Sequence, residues 1–540
     1  MFHPGATRAG VVLLNSFGLE SLRYRSCLDD LAARLAARGV NVLLPDLYGA
    51  GDSIGSTLDP DVLDTWVNNA SAAVRWMRTT AGCDSVSLAG LRLGAIVAAR
   101  AGMQSAGLDS LFLLAPPASG ATYVREMLHA RELLGEHPQP PLPFDGVSIA
   151  GFRLGGRALA QLETFEWRDT ASVAAKDIRI LAENRSGDRQ AIEAAFAPSQ
   201  AKVRVEAFPA FERALADTRA ERRASPVWDA VADIMTPRRA NEGGTRAPIS
   251  VEFLPLSGPG FIETALMLDS GDTFAGIICQ GNDSGRGRQA VVFLPGAASC
   301  TALWPRLPVE LSRRLARKGI TSVRLREPAA VSYGAAAGET SNTFARVLDW
   351  LASHGYGEVL LAGVASGSDG DFALAATDPR INRVFLLDEP EILKALAEET
   401  GRAEDNAAPA AADGAALHEA MRASRRTLAA LRNLVDHSAN GEQRRPALKD
   451  LLGVLQAKQK PVLIVSPGAG SRSRQLQIFV EWREVRPEAM PLVEVLTLPD
   501  TLCALSSDPA RSTFGDALLA FAMDGELRPA AAGQRLASSG

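Results

Sequence analysis

The sequence lacks the residue patterns of extracellular, metal-binding and membrane-spanning proteins. Its five cysteines are odd in number, scattered and without a C-x-x-C pair, so neither a disulfide framework nor a zinc site is predicted. No window approaches the roughly 18 consecutive apolar residues of a membrane-spanning helix, and the start MFHPGATRAG has no apolar leader. These absences favour a cytoplasmic protein without a metal or cofactor.

Basic residues are also too few for a nucleic-acid-binding protein. Lysine and arginine number 57 against 62 acidic residues, a formal net charge of −5, whereas affinity for phosphate backbones depends on clustered cations. Hydrophobic residues make up 46% and charged residues 22%, an ordinary globular composition. A chain of 540 residues is too long for one ordinary domain, so two large domains are expected.

Apolar strand-like runs alternate with amphipathic helical patterns in the first part of the chain. This alternation is typical of a parallel sheet with helices on both faces. The predicted elements are strands at 11–15, 40–44, 85–89 and 110–115, a helix ended by Gly39, a helix over 63–79 and a helix from Leu93.

The same order returns in the second half. Val11 to Gly90 spans 79 residues and Val291 to Gly363 spans 72, so duplication of one fold is predicted. Residues 249–289 are expected to add one or two leading strands that the first copy lacks. The predicted elements are strands at 291–295, 320–325, 358–362 and 384–388, with helices around Leu307–Leu315 and Val347–Leu351.

The predicted domain organisation follows from this repeat and from a polar, Gly- and Pro-rich stretch between the copies. The sequence predicts domain one at 1–238 with a cap at about 117–170, a linker at 239–248, domain two at 249–525 with a cap at about 390–455, and a disordered tail at 526–540.

Three motifs in the first copy point to a known superfamily. Gly90-Leu91-Arg92-Leu93-Gly94 follows a strand and opens a helix, the setting of the nucleophile elbow G-x-S-x-G. DLYGAGDS (46–53) has the form D-x-x-G-x-G-x-S, and Ser16, Phe17 and Gly18 stand at the place of an oxyanion loop. The chain thereby resembles the α/β hydrolases, and GLRLGA with GFRLGGRALAQLETFE (151–166) resembles those of exosortase and exopolysaccharide clusters.

The second copy resembles a sister type of hydrolase. Its elbow of the form G-x-C-S-G-A reads GVASGS (363–368), and its closing D-H-T reads Asp500-Thr501-Leu502. Pro295 and Gly296 belong to an oxyanion-like loop. Together the resemblances imply an α/β fold of two tandem α/β-hydrolase-like domains, each a mostly parallel doubly wound sheet with a helical cap insert.

The residues that would carry hydrolase chemistry are missing. A triad needs a Ser or Cys at the elbow tip, a His to take its proton and a carboxylate to orient the His. Arg92 occupies the first tip and Ala365 the second, and Thr501 stands at the family's histidine position. None of the six histidines follows the last strand of either copy, so a catalytically inactive pseudohydrolase is predicted.

Arg92 has two interpretations. A cation at a helix N-terminus is unfavourable unless an anion lies close to it. That anion is either a group of a bound ligand or the carboxylate of an internal ion pair. The candidates for the internal pair are Glu183, Asp188 and Asp52.

Three functions stay open at this point. One is binding of a small acyl or glycan-derived ligand, or of a protein partner. The second is a serine-type ester hydrolase or acyltransferase with a relocated triad, for which Ser366 is a weak candidate. The third is a structural partner of a related active enzyme, and the oligomeric state is open. The candidate pocket residues are Ser16, Phe17, Gly18, Arg92, Leu93, Pro295, Gly296, Ala365, Ser366 and Asp500.

Overall fold

A computed structural model provides the fold. The chain divides into two compact units, the first built on Met1–Val251 and the second on Glu252–Glu399 and Leu434–Gly540. The predicted linker at 239–248 and tail at 526–540 lie outside the described residues, as does most of the second predicted cap. The structure describes residues 1–133, 142–149, 151–182, 187–207, 214–215, 225–236, 254–268, 273–282, 289–294, 306–325, 337–364, 378–387, 448–466, 474–485, 488, 490–498 and 508–524.

The first unit contains a sheet of seven strands in the order β1-β3-β2-β4-β5-β8-β9, and β6 and β7 form a separate hairpin. All neighbouring strands in this sheet are parallel except one pair: β1, which has two residues, is antiparallel to β3. The strands are β1 (Phe2–His3), β2 (Ala9–Leu14), β3 (Asn41–Leu43), β4 (Ser85–Leu91), β5 (Leu108–Leu114), β6 (Gly146–Ile149), β7 (Phe152–Gly155), β8 (Ala175–Ala182) and β9 (Lys202–Ala207).

The helices of the first unit connect these strands as the alternating pattern predicts. The first helix buries Leu28, Leu31 and Leu35 and ends at Ala37. Gly39 follows it with a φ of +85°, and its N–H donates to the Ala36 carbonyl (2.8 Å), as is typical of a glycine that terminates a helix. The helices are α1 (Leu19–Ala37), α2 (Val62–Thr79), α3 (Leu93–Gln104), α4 (Gly120–Leu133), α5 (Gly156–Glu163), α6 (Gly187–Ala195) and α7 (Pro226–Met235).

The segment predicted as a helical cap is not wholly helical. Between β5 and β8 lie α4, the β6–β7 hairpin and α5. The hairpin turns at Gly151, which has a φ of +80°, and its inward residues Val147 and Ile149 alternate with polar ones. Strands of four residues carry too few alternations to be recognised in sequence.

The second unit contains a nine-stranded sheet in the order β10-β11-β12-β14-β13-β15-β16-β17-β18. Its strands are β10 (Leu256–Gly258), β11 (Phe261–Leu268), β12 (Thr273–Gln280), β13 (Gln289–Phe293), β14 (Thr321–Leu325), β15 (Glu358–Val364), β16 (Ile381–Leu387), β17 (Val462–Ser466) and β18 (Val493–Thr497). Its described helices are α8 (Leu307–Ala316), α9 (Ala337–Ser353), α10 (Leu448–Ala457), α11 (Arg474–Val485) and α12 (Asp508–Asp524).

The leading strands differ from the prediction. Three antiparallel strands, β10 to β12, precede the parallel part of the second sheet, where one or two were expected. A tight turn at Gly260, with a φ of +75°, separates β10 from β11 and creates the extra strand. The first copy was expected to lack leading strands, and the short antiparallel β1 corrects that expectation.

The six parallel strands have the same order in both units. In the first it is β3-β2-β4-β5-β8-β9 and in the second β14-β13-β15-β16-β17-β18. Each unit has its own core, with Val11 and Leu13 of β2 in the first and Val292 of β13 and Leu361 of β15 in the second. The fold is therefore α/β with mostly parallel sheets. None of the described helices is long and apolar enough to cross a membrane.

Candidate active-site remnant

The turn between β4 and α3 consists of one residue, Arg92. Its φ of 55° and ψ of −117° are rarely adopted by residues other than glycine and cost about 1–3 kcal/mol. The backbone holds this conformation because the Arg92 N–H donates to the Leu114 carbonyl (3.0 Å) and the Ala95 N–H donates to the Arg92 carbonyl (2.9 Å). The strand–turn–helix geometry predicted for the elbow is thus present, with Arg92 at its turn.

Two glycines make this turn sterically possible. A Cβ on Gly90 would lie 1.9 Å from the Gly94 carbonyl oxygen, and one on Gly94 would lie 2.5 Å from the Leu14 carbonyl oxygen. Both neighbours are backbone atoms, which cannot move aside as a flexible side chain would. The spacing G-x-x-x-G therefore reflects close packing of α3 on β2 and β4.

We predict that Gly90→Ala destabilises the first unit by about 1–3 kcal/mol, because the new methyl group overpacks the elbow. Urea unfolding monitored by hydrogen exchange of peptides from the first unit measures the loss. Gly453→Ala in α10 of the second unit is the control and is followed in second-unit peptides, since its nearest foreign atom would be Met490 Cε at 3.8 Å. An unchanged unfolding midpoint for Gly90→Ala would contradict the packing argument.

The Arg92 side chain is buried between two carboxylates. Its Nε lies 3.0 Å from Glu20 Oε1, and a second guanidinium nitrogen donates to Glu126 Oε2. The side chains of Arg92, Glu20 and Glu126 are 12%, 14% and 8% exposed. The guanidinium carbon also lies 5.9 Å from the centre of the Tyr123 ring. Arg92 is thus held by α1 on one side and by α4 on the other.

Burial and neighbouring charges determine the protonation of Arg92 and Tyr123. Burial lowers the pKa of Arg92, but the charges of Glu126 and Glu20 more than compensate and raise it well above its usual value. Burial, reinforced by the charge of Glu20, raises the pKa of Tyr123 well above its usual value. Arg92 is therefore a cation and Tyr123 a neutral phenol across the physiological range.

The partners of Arg92 differ from those named on sequence. Glu20 and Glu126 contact it, whereas Glu183, Asp188 and Asp52 were the candidates. Glu183 lies outside the described residues, as does the side chain of Asp188. Asp52 belongs to the 46–53 loop, where its N–H donates to Asp46 Oδ2 (3.4 Å).

The 46–53 loop is organised by Asp46. Its Oδ1 accepts from Arg25 (2.6 Å), and its backbone carbonyl accepts from the Ser53 hydroxyl (2.6 Å). Burial raises the pKa of Asp46, but the charge and hydrogen bond of Arg25, the N-terminal charge and the Asp52 N–H together lower it below its usual value. Asp46 therefore stabilises the turn.

The residues at the place of an oxyanion loop lie beside Arg92. The Ser16 hydroxyl donates to Glu20 Oε2 (2.6 Å) and lies 3.5 Å from the Tyr123 hydroxyl. Gly18 has a φ of +68° and leads into α1, while Leu93, the first residue of α3, is buried. Ser16 and Arg92 thus meet through Glu20, which sequence reasoning missed.

A cleft of about 480 Å³, open solvent at its mouth included, lies next to this cluster. Phe17 contributes to it, and the Phe17 ring is 5.6 Å from that of Trp66 and 6.1 Å from that of Phe152. The lining comes from the β2–α1 loop, α4 and the β6–β7 hairpin, and consists of Phe17, Gly18, Leu19, Glu20, Tyr123, Glu126, Met127, Ala130, Val147, Ile149 and Phe152.

The candidate site residues of the second unit lie outside the described part of the chain. Pro295, Gly296, Ala365, Ser366 and Asp500 all lie outside the described residues, and so does Thr501. The strand β15 ends at Val364, directly before the predicted elbow tip. Within the described part of the chain, no group of three His, Cys, Asp or Glu side chains could hold a metal ion.

Elbow, parallel sheet and cap together define the α/β-hydrolase class for the first unit. The family described as serine aminopeptidase, S33, has a model that matches residues 5–144. The first unit therefore contains a domain of the α/β-hydrolase superfamily. No curated protein matches the chain.

Three solved structures are similar to this chain at low TM-scores, which carry no weight for function. Est1E from Butyrivibrio proteoclasticus with ferulic acid bound is 20% identical over 42% of this chain and 88% of that one, with a TM-score of 0.31. A monoacylglycerol lipase of Paleococcus ferrophilus is 14% identical over 43% of this chain and 96% of that one, with a TM-score of 0.31. A cold-adapted esterase from an Arctic intertidal metagenomic library is 12% identical over 51% of this chain and 98% of that one, with a TM-score of 0.28.

Proposed function

We propose that this protein is a catalytically inactive tandem α/β hydrolase, a pseudohydrolase, whose first unit binds a small ligand with an apolar body. The observation that carries the proposal is Arg92. It occupies the tip of a preserved elbow, where it is buried and ion-paired to Glu20 and Glu126. A guanidinium has no lone pair with which to attack a carbonyl.

The cleft supports binding as the remaining role. Concave sites with mostly apolar walls and a few polar groups are typical of small-molecule binding. Here aromatic and aliphatic side chains surround two carboxylates. An acyl-like ligand fits these walls better than a glycan, because a glycan needs many polar partners.

The tandem arrangement belongs to the same proposal. The shared order of six parallel strands supports duplication of one fold, with Ala365 at the second elbow tip. The resemblance of 151–166 to hydrolases of exopolysaccharide clusters supports a binding or scaffolding role in exopolysaccharide biosynthesis.

Covalent labelling tests the inactivity. Loss of the nucleophile or the base of a serine triad lowers the rate by about 10⁶, so we expect no adduct when the full chain is incubated with a fluorophosphonate and its intact mass is measured. An active serine hydrolase treated in parallel confirms the reagent. One adduct per chain that disappears in Ser366→Ala would instead establish the alternative, a hydrolase or acyltransferase with a relocated triad.

A further inference from the structure

Resting on the proposed function, we infer that the Tyr123 hydroxyl is the polar anchor of the cleft and selects a ligand whose apolar body carries an uncharged oxygen acceptor, such as a carbonyl. Tyr123 donates one hydrogen bond to that oxygen. Three observations carry the inference: the position of Tyr123, the length of its own hydrogen bonds and the bonding of the charged groups beside it.

Tyr123 on α4 lies where the cleft meets the β2–α1 loop. It is one of the lining residues, and its hydroxyl lies 3.4 Å from the Phe17 carbonyl oxygen and 3.5 Å from Ser16 Oγ. Phe17 is itself a lining residue. Because the hydroxyl lies beside the backbone of a second lining residue, we place it within hydrogen-bonding reach of a ligand in the cleft.

The hydrogen bonds that Tyr123 makes within the protein are long. An O–H···O bond is usually about 2.7–2.8 Å, and both acceptors of the phenol lie beyond that distance. The Ser16 hydroxyl donates to Glu20, so it can only accept from Tyr123. Burial and the charge of Glu20 raise the pKa of Tyr123 well above its usual value, so the phenol keeps its proton. A closer acceptor on a ligand would therefore gain this donor.

The charged groups beside Tyr123 are already bonded to one another. Glu20 accepts from Ser16 and Arg92, and Glu126 accepts from Arg92. Arg92 itself is not among the described residues that line the cleft. Of the described lining side chains, Tyr123 alone offers an O–H or N–H group, since ionised carboxylates only accept. One donor satisfies a carbonyl oxygen, whereas a buried carboxylate requires a paired cation or several donors.

The remaining walls of the cleft specify the body of the ligand. The rings of Phe17 and Phe152 are 6.1 Å apart, and Met127, Val147 and Ile149 complete the apolar lining. These side chains offer dispersion contacts and no strong hydrogen bonds, so they accept an aromatic or alkyl group. An aromatic ketone is the simplest compound that combines such a body with one oxygen acceptor.

Three probes with a shared fluorophenyl ring test the inference: 4-fluoroacetophenone, 1-ethyl-4-fluorobenzene and 4-fluorobenzoate. Fluorine NMR line broadening measures their binding to the full chain. We expect Tyr123→Phe to weaken binding of the ketone at least about fivefold, because a buried carbonyl loses its donor, and to change binding of the hydrocarbon less than about twofold. The benzoate should bind most weakly to the unaltered chain.

A matched variant and a spectroscopic readout locate the effect. Tyr48→Phe removes a hydroxyl that donates to Asp59 (2.7 Å), outside the described lining, and should leave binding of the ketone unchanged. Thermal melts show that each variant is folded. The carbonyl stretch of bound, isotope-labelled ketone should lie lower in the unaltered chain than in Tyr123→Phe, as a hydrogen bond from the phenol requires.

The outcomes separate this inference from the proposed function. Equal loss of ketone and hydrocarbon binding in Tyr123→Phe, or a carbonyl stretch of the bound ketone as high as in an apolar solvent, overturns the Tyr123 anchor but leaves ligand binding intact. Tightest binding of the benzoate overturns the uncharged acceptor. Binding of none of the probes overturns both this inference and the proposed function.

Discussion

Replacing Arg92 by methionine is expected to destabilise the first unit by about 3–5 kcal/mol, because breaking a buried ion pair leaves the remaining charges uncompensated. Methionine fills a similar volume, so the loss is electrostatic rather than steric. Glu20 and Glu126, both poorly exposed, would then lose the guanidinium that they share. Hydrogen exchange of first-unit peptides in a urea series measures the change without assuming that the two units unfold together.

Two variants separate charge from packing. Arg125→Met on α4 removes an exposed arginine and should change stability by less than about 0.5 kcal/mol. Adding Glu20→Gln and Glu126→Gln to Arg92→Met should restore at least half of the loss, because the two carboxylate charges that Arg92 neutralised are gone. A small effect of Arg92→Met alone would contradict the view that Arg92 locks the elbow to α1 and α4.

Replacing Glu263 by glutamine is expected to destabilise the second unit by about 3 kcal/mol or more. Glu263 on β11 accepts from Arg313 Nε (3.1 Å) and from Arg324 Nη1 (2.9 Å), and all three side chains are less than 10% exposed. Phe261 covers Arg313, with its ring centre 4.9 Å from the guanidinium carbon. Glutamine keeps the shape but removes the carboxylate charge that both buried arginines contact.

The matched control is Glu358→Gln. Glu358 contacts one arginine, Arg383, at 3.5 Å and is half exposed, so its ion pair is worth about 0–1 kcal/mol. Hydrogen exchange of second-unit peptides compares the two variants directly. If both variants lose the same small amount, the buried cluster does not stabilise the sheet as its geometry implies.

Much of the parallel fold follows from sequence. The sequence predicts the strand before the elbow at 85–89 and it is observed at Ser85–Leu91, because a short apolar run bounded by glycine favours a buried strand. The helix after the elbow begins at Leu93 as predicted. The short β1 and the β6–β7 hairpin were missed, because strands of two to four residues have no readable period.

The sequence predicts that Arg92 has an acidic partner but does not identify which residue it is. A cation at a helix N-terminus requires an acidic partner, and the sequence showed that requirement. It could not select Glu20 and Glu126, which are 72 and 34 residues away, from 62 acidic residues. One signal was available for Glu20, which lies in the first turn of α1, four residues after Ser16. Ser16 belongs to the loop that follows β2, the strand next to β4.

Ester turnover by the full chain tests the central claim most directly. Stopped-flow absorbance would follow p-nitrophenolate release from p-nitrophenyl butyrate, with Ser366→Ala measured in parallel. A pseudohydrolase with Arg92 and Ala365 at its elbows predicts release at the rate of buffer alone, equal in both proteins. A burst equal to the chain concentration that Ser366→Ala abolishes would show an acyl-enzyme and contradict the account.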